Sequence, residues 1–316
     1  MPVLNEEKHL RAAVESILEQ EYPRQFDLCI ALGPSRDATD EVARQLVEEN
    51  PRVSTVANPT GRRSTGLNSA IAATAGEVVV RVDGHAVLPP GYIRRAVETM
   101  LRTGAINVGG VQEAVGSTPF EQAAAAALTS PFGMGGARFH AGGQEGAVDT
   151  VFLGVFRRDA LEAVGGFDFG FEPNEDYELN VRLRRAGGTV WFDPTLRVTY
   201  VPRGSLKRVA QQFFHYGKGK RRTLRSHPQS LKARQAVPPA LLLTLFGSML
   251  MALWTPWTLL APLAYVSAVV AAAIVVGRRP TRMARLAIIF PTMHLSWAFG
   301  FFFGGWRRPQ PSITDR

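Results

Sequence analysis

The sequence predicts an α/β domain built on a mostly parallel, doubly wound sheet, followed by helices that cross a membrane. Three observations carry this. Short apolar runs alternate with amphipathic helical patterns along the first 186 residues, the pattern of repeated strand–helix–strand units. No residue between 236 and 277 is charged, which at about 20 residues per crossing is room for two spans. The charge is also divided: residues 1–193 hold 18 Lys and Arg against 26 Asp and Glu, a net of −8, whereas residues 194–316 hold 18 against 1, a net of +17, giving the overall +9. An acidic front and a basic, apolar back fit a polar domain docked on an anionic membrane surface. Apolar runs beside the basic residues argue against a nucleic-acid partner.

In chain order, Asn5 followed by Glu6 and Glu7 suits a helix N-terminus, with Leu10, Val14, Ile17 and Leu18 on one face. Residues 26–32 read as a buried strand, 40–49 as a helix, 52–57 as a strand, 64–75 as a helix closed by Gly76, 77–82 as a strand, and 89–102 as a helix ending at Gly104. Six glycines between 133 and 146 predict a mobile loop. Residues 148–156 return to strand character, 159–164 to helix, and 174–186 form a helix capped by Asn174 and closed by Gly187. The chain opens on Met1-Pro2-Val3-Leu4, so the first buried strand is expected to begin upstream. Cys29 is the single cysteine, which excludes a disulfide framework.

The apolar segment 236–277 divides at Thr255-Pro256-Trp257, and residues 286–306 form a third uncharged stretch. The linker bearing Arg278, Arg279, Arg282 and Arg285 is expected on the cytoplasmic side. The expected organisation is a catalytic domain over 1–203, a basic amphipathic interface segment over 204–235, about three transmembrane helices over 236–306, and a tail over 307–316. That places the protein in the cell (inner or plasma) membrane as a multi-pass protein with its front domain cytoplasmic.

Three sets of residues could carry chemistry. Val78-Val79-Val80-Arg81-Val82-Asp83-Gly84-His85 ends an apolar strand in an acid, a spacer and an imidazole. Side chains two apart at a strand end can converge on one divalent cation, and this donor pair suits Mn²⁺ somewhat better than an all-oxygen set; an Asp there also serves as an ordinary turn residue. Glu175 and Asp176 fall in a helix's first turn, where acids are favourable dipole partners and Asp176 could also act as a base. Residues 206–225 carry Gln212, His215 and Tyr216 among basic residues, and the 194–234 stretch holds 11 Lys and Arg and no acid, the composition of a helix lying on anionic headgroups.

Taken in order, Pro2-Val3-Leu4-Asn5-Glu6-Glu7, Gly33-Pro34-Ser35-Arg36-Asp37, Gly61-Arg62-Arg63 with Leu67-Asn68, Asp83-Gly84-His85, Gly165-Gly166-Phe167 and Glu175-Asp176 resemble the family-2 glycosyltransferases. Within them the likeness is to membrane-bound exopolysaccharide enzymes of the succinoglycan-biosynthesis type. The resemblance implies a GT-A, nucleotide-diphospho-sugar transferase fold, Rossmann-like. It implies that Pro2, Asn5, Glu6 and Asp37 line the nucleoside side, that Arg62 and Asn68 approach the nucleotide and its phosphates, and that Asp83 and His85 hold Mn²⁺ or Mg²⁺, His85 standing where the family motif has a second Asp. Asp176 matches the base, Gly166, Phe167 and Glu175 the acceptor side, and Gln212, His215 and Tyr216 the segment that closes over the donor in processive synthases. The expected reaction is inverting, hexosyltransferase-type transfer from a nucleotide-sugar donor, a UDP-sugar first, to a lipid-linked or saccharide acceptor, with membrane lipids as neighbours. A processive synthase, an inactive scaffold on the same fold and a nucleotidyltransferase are the alternatives.

Overall fold

A computed structural model describes residues 1–305 and divides them into two compact units. Trp306 and the expected tail lie outside the described residues. In the first unit, β1 (Pro2–Val3), α1 (Leu10–Leu18), β2 (Leu28–Leu32), α2 (Thr39–Glu49) and β3 (Val53–Ala57) form two strand–helix–strand units. The strands are parallel in the order β1-β2-β3, with Val3 opposite Leu32 and Ile30 opposite Thr55. Each helical crossover returns the chain in its original direction, which is what a parallel pair requires.

α3 (Arg63–Ala72), β4 (Val78–Val80), α4 (Tyr92–Thr103) and β5 (Asn107–Ala114) follow. The chain then leaves this unit for residues 114–141 and re-enters it at Gly142. β6 (Gly146–Ala147), β7 (Phe152–Arg157), α8 (Arg158–Ala163), α9 (Glu175–Arg185) and β8 (Val190–Tyr200) complete a second sheet, ordered β4-β7-β5-β8-β6. Here the expectation of a mostly parallel sheet fails. β7 runs against both β4 and β5, and β6 against β8, because β7 inserts between two earlier strands after the excursion. α4 shows how helices seal this unit: Tyr92, Ile93, Ala96, Val97 and Met100 recur at helical spacing and are buried in the same core as Leu10, Val14, Ile30, Val155 and Leu196. Burying each large side chain contributes roughly 1.5–3 kcal/mol.

Two local expectations are also corrected. The first helix starts at Leu10, not beside Asn5. Asn5 adopts φ 57 and its side chain accepts from the Arg36 N–H at 2.8 Å, so its capping group is used between loops. Asn174 stands at φ 109 and makes no side-chain cap to α9.

The second unit gathers residues 114–141 with the chain from Tyr200 onward. It contains α5 (Pro119–Thr129), α6 (Pro131–Met134), α7 (Arg138–Ala141), α10 (Leu206–Ser226), α11 (Ala233–Met251), α12 (Leu260–Gly277) and α13 (Pro280–Phe303). The glycine-rich stretch expected as a loop thus holds two short helical turns. α5 is started by a capping box, Thr118 with Glu121, and its Ala123, Ala124, Ala127 and Leu128 are buried with Leu286, Ile289, Phe290 and Met293 of α13. α10 meets α13 backbone to backbone at Gly217 and Gly300. A Cβ at Gly217 would strike the Trp297 carbonyl, and one at Gly300 the Phe214 carbonyl. α11 and α12 are joined at Thr255-Pro256-Trp257, the expected hinge. Two helical segments among the described residues are long and apolar enough to cross a membrane, Pro256–Gly277 and Pro280–Phe303. α11, the remaining member of the expected three, carries Arg234 and Gln235 near its start and Pro238 and Pro239 inside.

Candidate active site

The first unit places Asp83 and Asp176, 93 positions apart in sequence, on one guanidinium. β4 pairs with β7 through Val80 opposite Val155, and the chain continues from that strand into Arg81, which is 5% exposed. Arg81 Nη2 donates to Asp83 Oδ1 at 3.1 Å, and Nη1 donates to Asp176 Oδ1. Glu175 Oε1 lies 3.7 Å from Arg81 Nη2 and 2.8 Å from Arg63 Nη1. Desolvating a guanidinium is costly, and three carboxylates offset that cost only because each sits close. α9 begins at Glu175, so both of its leading acids face the end of β4.

Burial and neighbours divide the carboxyls into different roles. At Asp83, burial acts to raise the pKa, but Arg81, Arg63 and His85 outweigh it and bring it down to about 2. Burial raises the Asp176 carboxyl, Arg81 opposes the rise, and the charges of Glu175 and Asp83 add to it. Its side chain keeps 36% exposure, so it is the reachable acid of the cluster. Glu175, 2% exposed, is held below its ordinary range by Arg63 and Arg81 against its burial. Two ionised acids thus flank one whose proton affinity is raised.

His85 Nδ1 lies 2.8 Å from Glu6 Oε1. Hydrogen bonding to Glu6 raises the imidazole pKa, burial opposing it. Facing a carboxylate oxygen, Nδ1 carries the ring proton and Nε2 is the nitrogen left to act as a ligand. Among the described residues no three His, Cys, Asp or Glu gather into a metal site. Asp83 and His85 supply at most two donors, so a cation held there would need its remaining ligands from a bound molecule or water.

The nucleoside-side residues form a laced pair of loops. The Glu6 N–H donates to Thr39 Oγ1 at 2.7 Å, the Glu7 N–H to Asp37 Oδ2 at 3.3 Å, and the Asn5 N–H to Ser35 Oγ at 3.1 Å. Thr39 Oγ1 donates to Asp37 Oδ1 at 2.6 Å and holds that carboxyl below its ordinary value. Pro2 lies in β1 beside these loops, and Arg62 precedes α3 with its carbonyl accepting from Asn58 Nδ2 at 2.9 Å.

Asn68 is engaged elsewhere. Its Oδ1 accepts from the Phe167 N–H at 2.9 Å and its Nδ2 donates to the Phe167 carbonyl at 2.8 Å. Gly166, at φ +68, leaves room for this clamp, since a Cβ there would come within 2.8 Å of Asn68 Oδ1. Glu172 Oε1 accepts from Ser64 Oγ at 2.8 Å and from the Ser64 N–H, so α3 is tied twice to the loop that leads into Asp176. Glu172, Arg63 and Arg81 are absent from the residues that sequence reasoning assigned to the site. A lone Arg inside the apolar run 78–82 was the available signal for Arg81. Gln212 and Tyr216 belong to the second unit. There Gln212 Nε2 donates to Tyr200 Oη at 2.9 Å and Tyr216 Oη at 3.0 Å, while His215 is exposed.

A strand-end acid beside a helix-borne acid, on a parallel half-sheet joined to an antiparallel one, is the arrangement of a GT-A glycosyltransferase. The family model described as glycosyltransferase like family 2 matches residues 1–217, and the chain belongs to that family. It is 32% identical to the succinoglycan biosynthesis protein ExoA of Rhizobium meliloti over 96% of this chain and 92% of that one. It is 25% identical to a dolichyl N-acetyl-α-D-glucosaminyl phosphate 3-β-D-2,3-diacetamido-2,3-dideoxy-β-D-glucuronosyltransferase of Methanococcus voltae over 96% and 95%. Among solved structures it is similar in fold to the mannosyltransferase PcManGT of Pyrobaculum calidifontis in complex with GDP-Man and Mn²⁺, with a TM-score of 0.61 at 21% identity over 96% of this chain and 86% of that chain.

Proposed function

We propose that the chain is an inverting glycosyltransferase that moves a sugar from a nucleoside-diphosphate donor to a membrane-associated, lipid-linked saccharide acceptor in exopolysaccharide or cell-envelope glycan synthesis. The observation that carries this reading is the shared guanidinium: Arg81 holds Asp83 and Asp176 in one cluster. Asp83 and His85 would hold a divalent cation, with Glu6 orienting His85. When bound, that cation neutralises the donor diphosphate and stabilises it as a leaving group. Asp176 accepts the proton of the acceptor hydroxyl as that oxygen bonds to the anomeric carbon from the face opposite the phosphate. The bond from carbon to phosphate oxygen breaks, and its electron pair leaves with the nucleoside diphosphate. An acid in a helix's first turn is a weak base unless something raises it; burial and two neighbouring carboxylates supply that here. The clamp of Asn68 on Phe167 positions the loop before α9 instead of touching phosphate.

The relatives support the substrate class: succinoglycan biosynthesis in one, transfer onto a dolichyl-phosphate-linked sugar in another. The test is a panel of UDP-, GDP- and dTDP-sugars offered to membranes holding the protein, with and without Mn²⁺ or Mg²⁺. Cation-dependent release of nucleoside diphosphate on addition of a lipid-linked acceptor is expected. Release of pyrophosphate instead identifies a nucleotidyltransferase, and no product with any donor supports a scaffold.

A further inference from the structure

The resemblance puts Phe167 on the acceptor side, but its ring lies in the interior of the first unit. Phe167 is 2% exposed and packs edge-on against Phe156, ring centroids 6.1 Å apart, and Asn68 holds both its N–H and its carbonyl. A saccharide does not reach it. Two positions on, Phe169 opens a single 3-10 turn, Phe169–Phe171, and keeps 44% of its surface in solvent. Among the described residues it is the one Phe, Tyr or Trp of the first unit that is exposed.

A singly exposed Phe is ordinary by itself; the loop that carries this one is not. Arg182 of α9 donates to the Val164 carbonyl at 2.6 Å and to the Gly166 carbonyl at 2.8 Å. Asn68 of α3 clamps Phe167, Phe171 is buried, and Glu172 ties the far side of the turn to Ser64. The turn packs against α9, whose first residues include Asp176, seven positions after Phe169. A ring carried on a loop fixed this closely gives up little freedom when a ligand stacks on it.

The neighbouring side chain indicates what stacks there. Asp168 is exposed, and its Oδ1 accepts from the Gly170 N–H at 2.6 Å, which fixes the carboxylate. Among the described residues no donor reaches Oδ2. An acyl chain or an apolar protein face seated on Phe169 would strip water from that charge without replacing its hydrogen bonds. A sugar ring has an apolar C–H face and a rim of hydroxyl donors, so it meets both groups. We propose that Phe169 and Asp168 form the subsite for the acceptor's saccharide: the Phe169 ring stacks on the C–H face of a sugar, and Asp168 Oδ2 accepts from one of its hydroxyls. The loop then presents the acceptor to the helix that bears Asp176. This rests on the proposed transfer reaction and adds to it the residues that select the acceptor.

Saturation-transfer NMR on the full chain in lipid nanodiscs tests the subsite directly. The probes are the methyl β-D-glycosides of glucose, galactose and mannose, with 1-hexanol as the hydrocarbon probe. The parent should saturate the C–H protons of at least one glycoside. Phe169→Trp should retain that binding, Phe169→Ala should weaken it about tenfold, and Asp168→Asn should weaken it less. Leu101→Ala, which trims a 79% exposed side chain on α4, should leave it unchanged. No glycoside saturated by the parent, equal saturation in Phe169→Ala, or a Phe169→Ala loss confined to 1-hexanol overturns the inference. Kinetics separate this failure from failure of the transfer reading. With a donor that supports release of nucleoside diphosphate, Phe169→Ala should raise the acceptor KM about tenfold and leave the donor KM in place. An unmoved acceptor KM refutes the subsite alone, whereas a parent chain that releases no nucleoside diphosphate refutes the transfer reading.

Discussion

Arg81 and Arg44 are built alike and placed differently. Each joins carboxylates from more than one residue: Arg44 meets Glu41 at 2.6 Å and Glu48 at 2.5 Å on the outer face of α2, and Arg81 meets Asp83 and Asp176 beside Glu175. Arg44 is 57% exposed and its partners at least half exposed, so water screens every pair, whereas Arg81 keeps only 5% of its surface. The same ionic geometry is decoration in one region and an electrostatic frame in the other, because solvent sets what a charge pair is worth.

The sharpest way to break this comparison is Asp176→Asn, which keeps the Arg81 contact in shape but removes the proposed base. Turnover should fall about 1,000-fold, while cation-dependent donor binding, followed by calorimetry, stays near the parent value. Retention of most activity would remove Asp176 from the mechanism. In the proposed mechanism the ionised Asp176 is the active form, and its pKa is raised. Activity should therefore be lost as pH falls through a midpoint above the ordinary Asp range, and the ionisation of Asp83, held at about 2, should not contribute to that limb.

Next in size is Arg81→Met against Arg44→Met. The first leaves buried acids without their counter-charge and should cost about 3 kcal/mol or more; the second should cost less than about 1 kcal/mol. Thermal unfolding in detergent compares them, and equal costs would mean the interior cluster is not the frame described. Smaller again is Glu6→Gln. Second-shell carboxylates typically contribute 10-fold or more to metal affinity, so Mn²⁺ binding, read by electron paramagnetic resonance, should weaken about tenfold at high pH. The proton competes with the metal for His85, whose pKa is raised chiefly by Glu6. Parent affinity should thus decline as pH falls through that raised value, and the decline should begin at lower pH in the variant. An unchanged profile would separate Glu6 from the cation.

The strand and helix alternation from 28 to 80 was legible because each element announces itself locally, and so were the uncharged run 236–277 and its hinge. Asp83 and Asp176 could be named from motif spacing. What stayed hidden was non-local. β7 inserts antiparallel between β4 and β5, and no periodicity in residues 152–157 encodes its neighbours. The alanine-rich 119–129 helix carries no sign that its partner is α13, more than 150 positions later. Asn5 looks like a helix cap until Arg36, far along the chain, claims its oxygen. Glu172 and Asn68 read as ordinary polar residues because their partners, Ser64 and Phe167, are about a hundred positions away.

Three carboxylates against two guanidiniums leave the cluster of Asp83, Glu175, Asp176, Arg63 and Arg81 with a formal charge of −1. A diphosphate arriving alone finds no excess of positive charge to hold it, and a cation arriving alone finds only a weak well. Together they cancel one another's cost. Donor and ion should therefore enter as interdependent ligands, each tightening the other by the same factor.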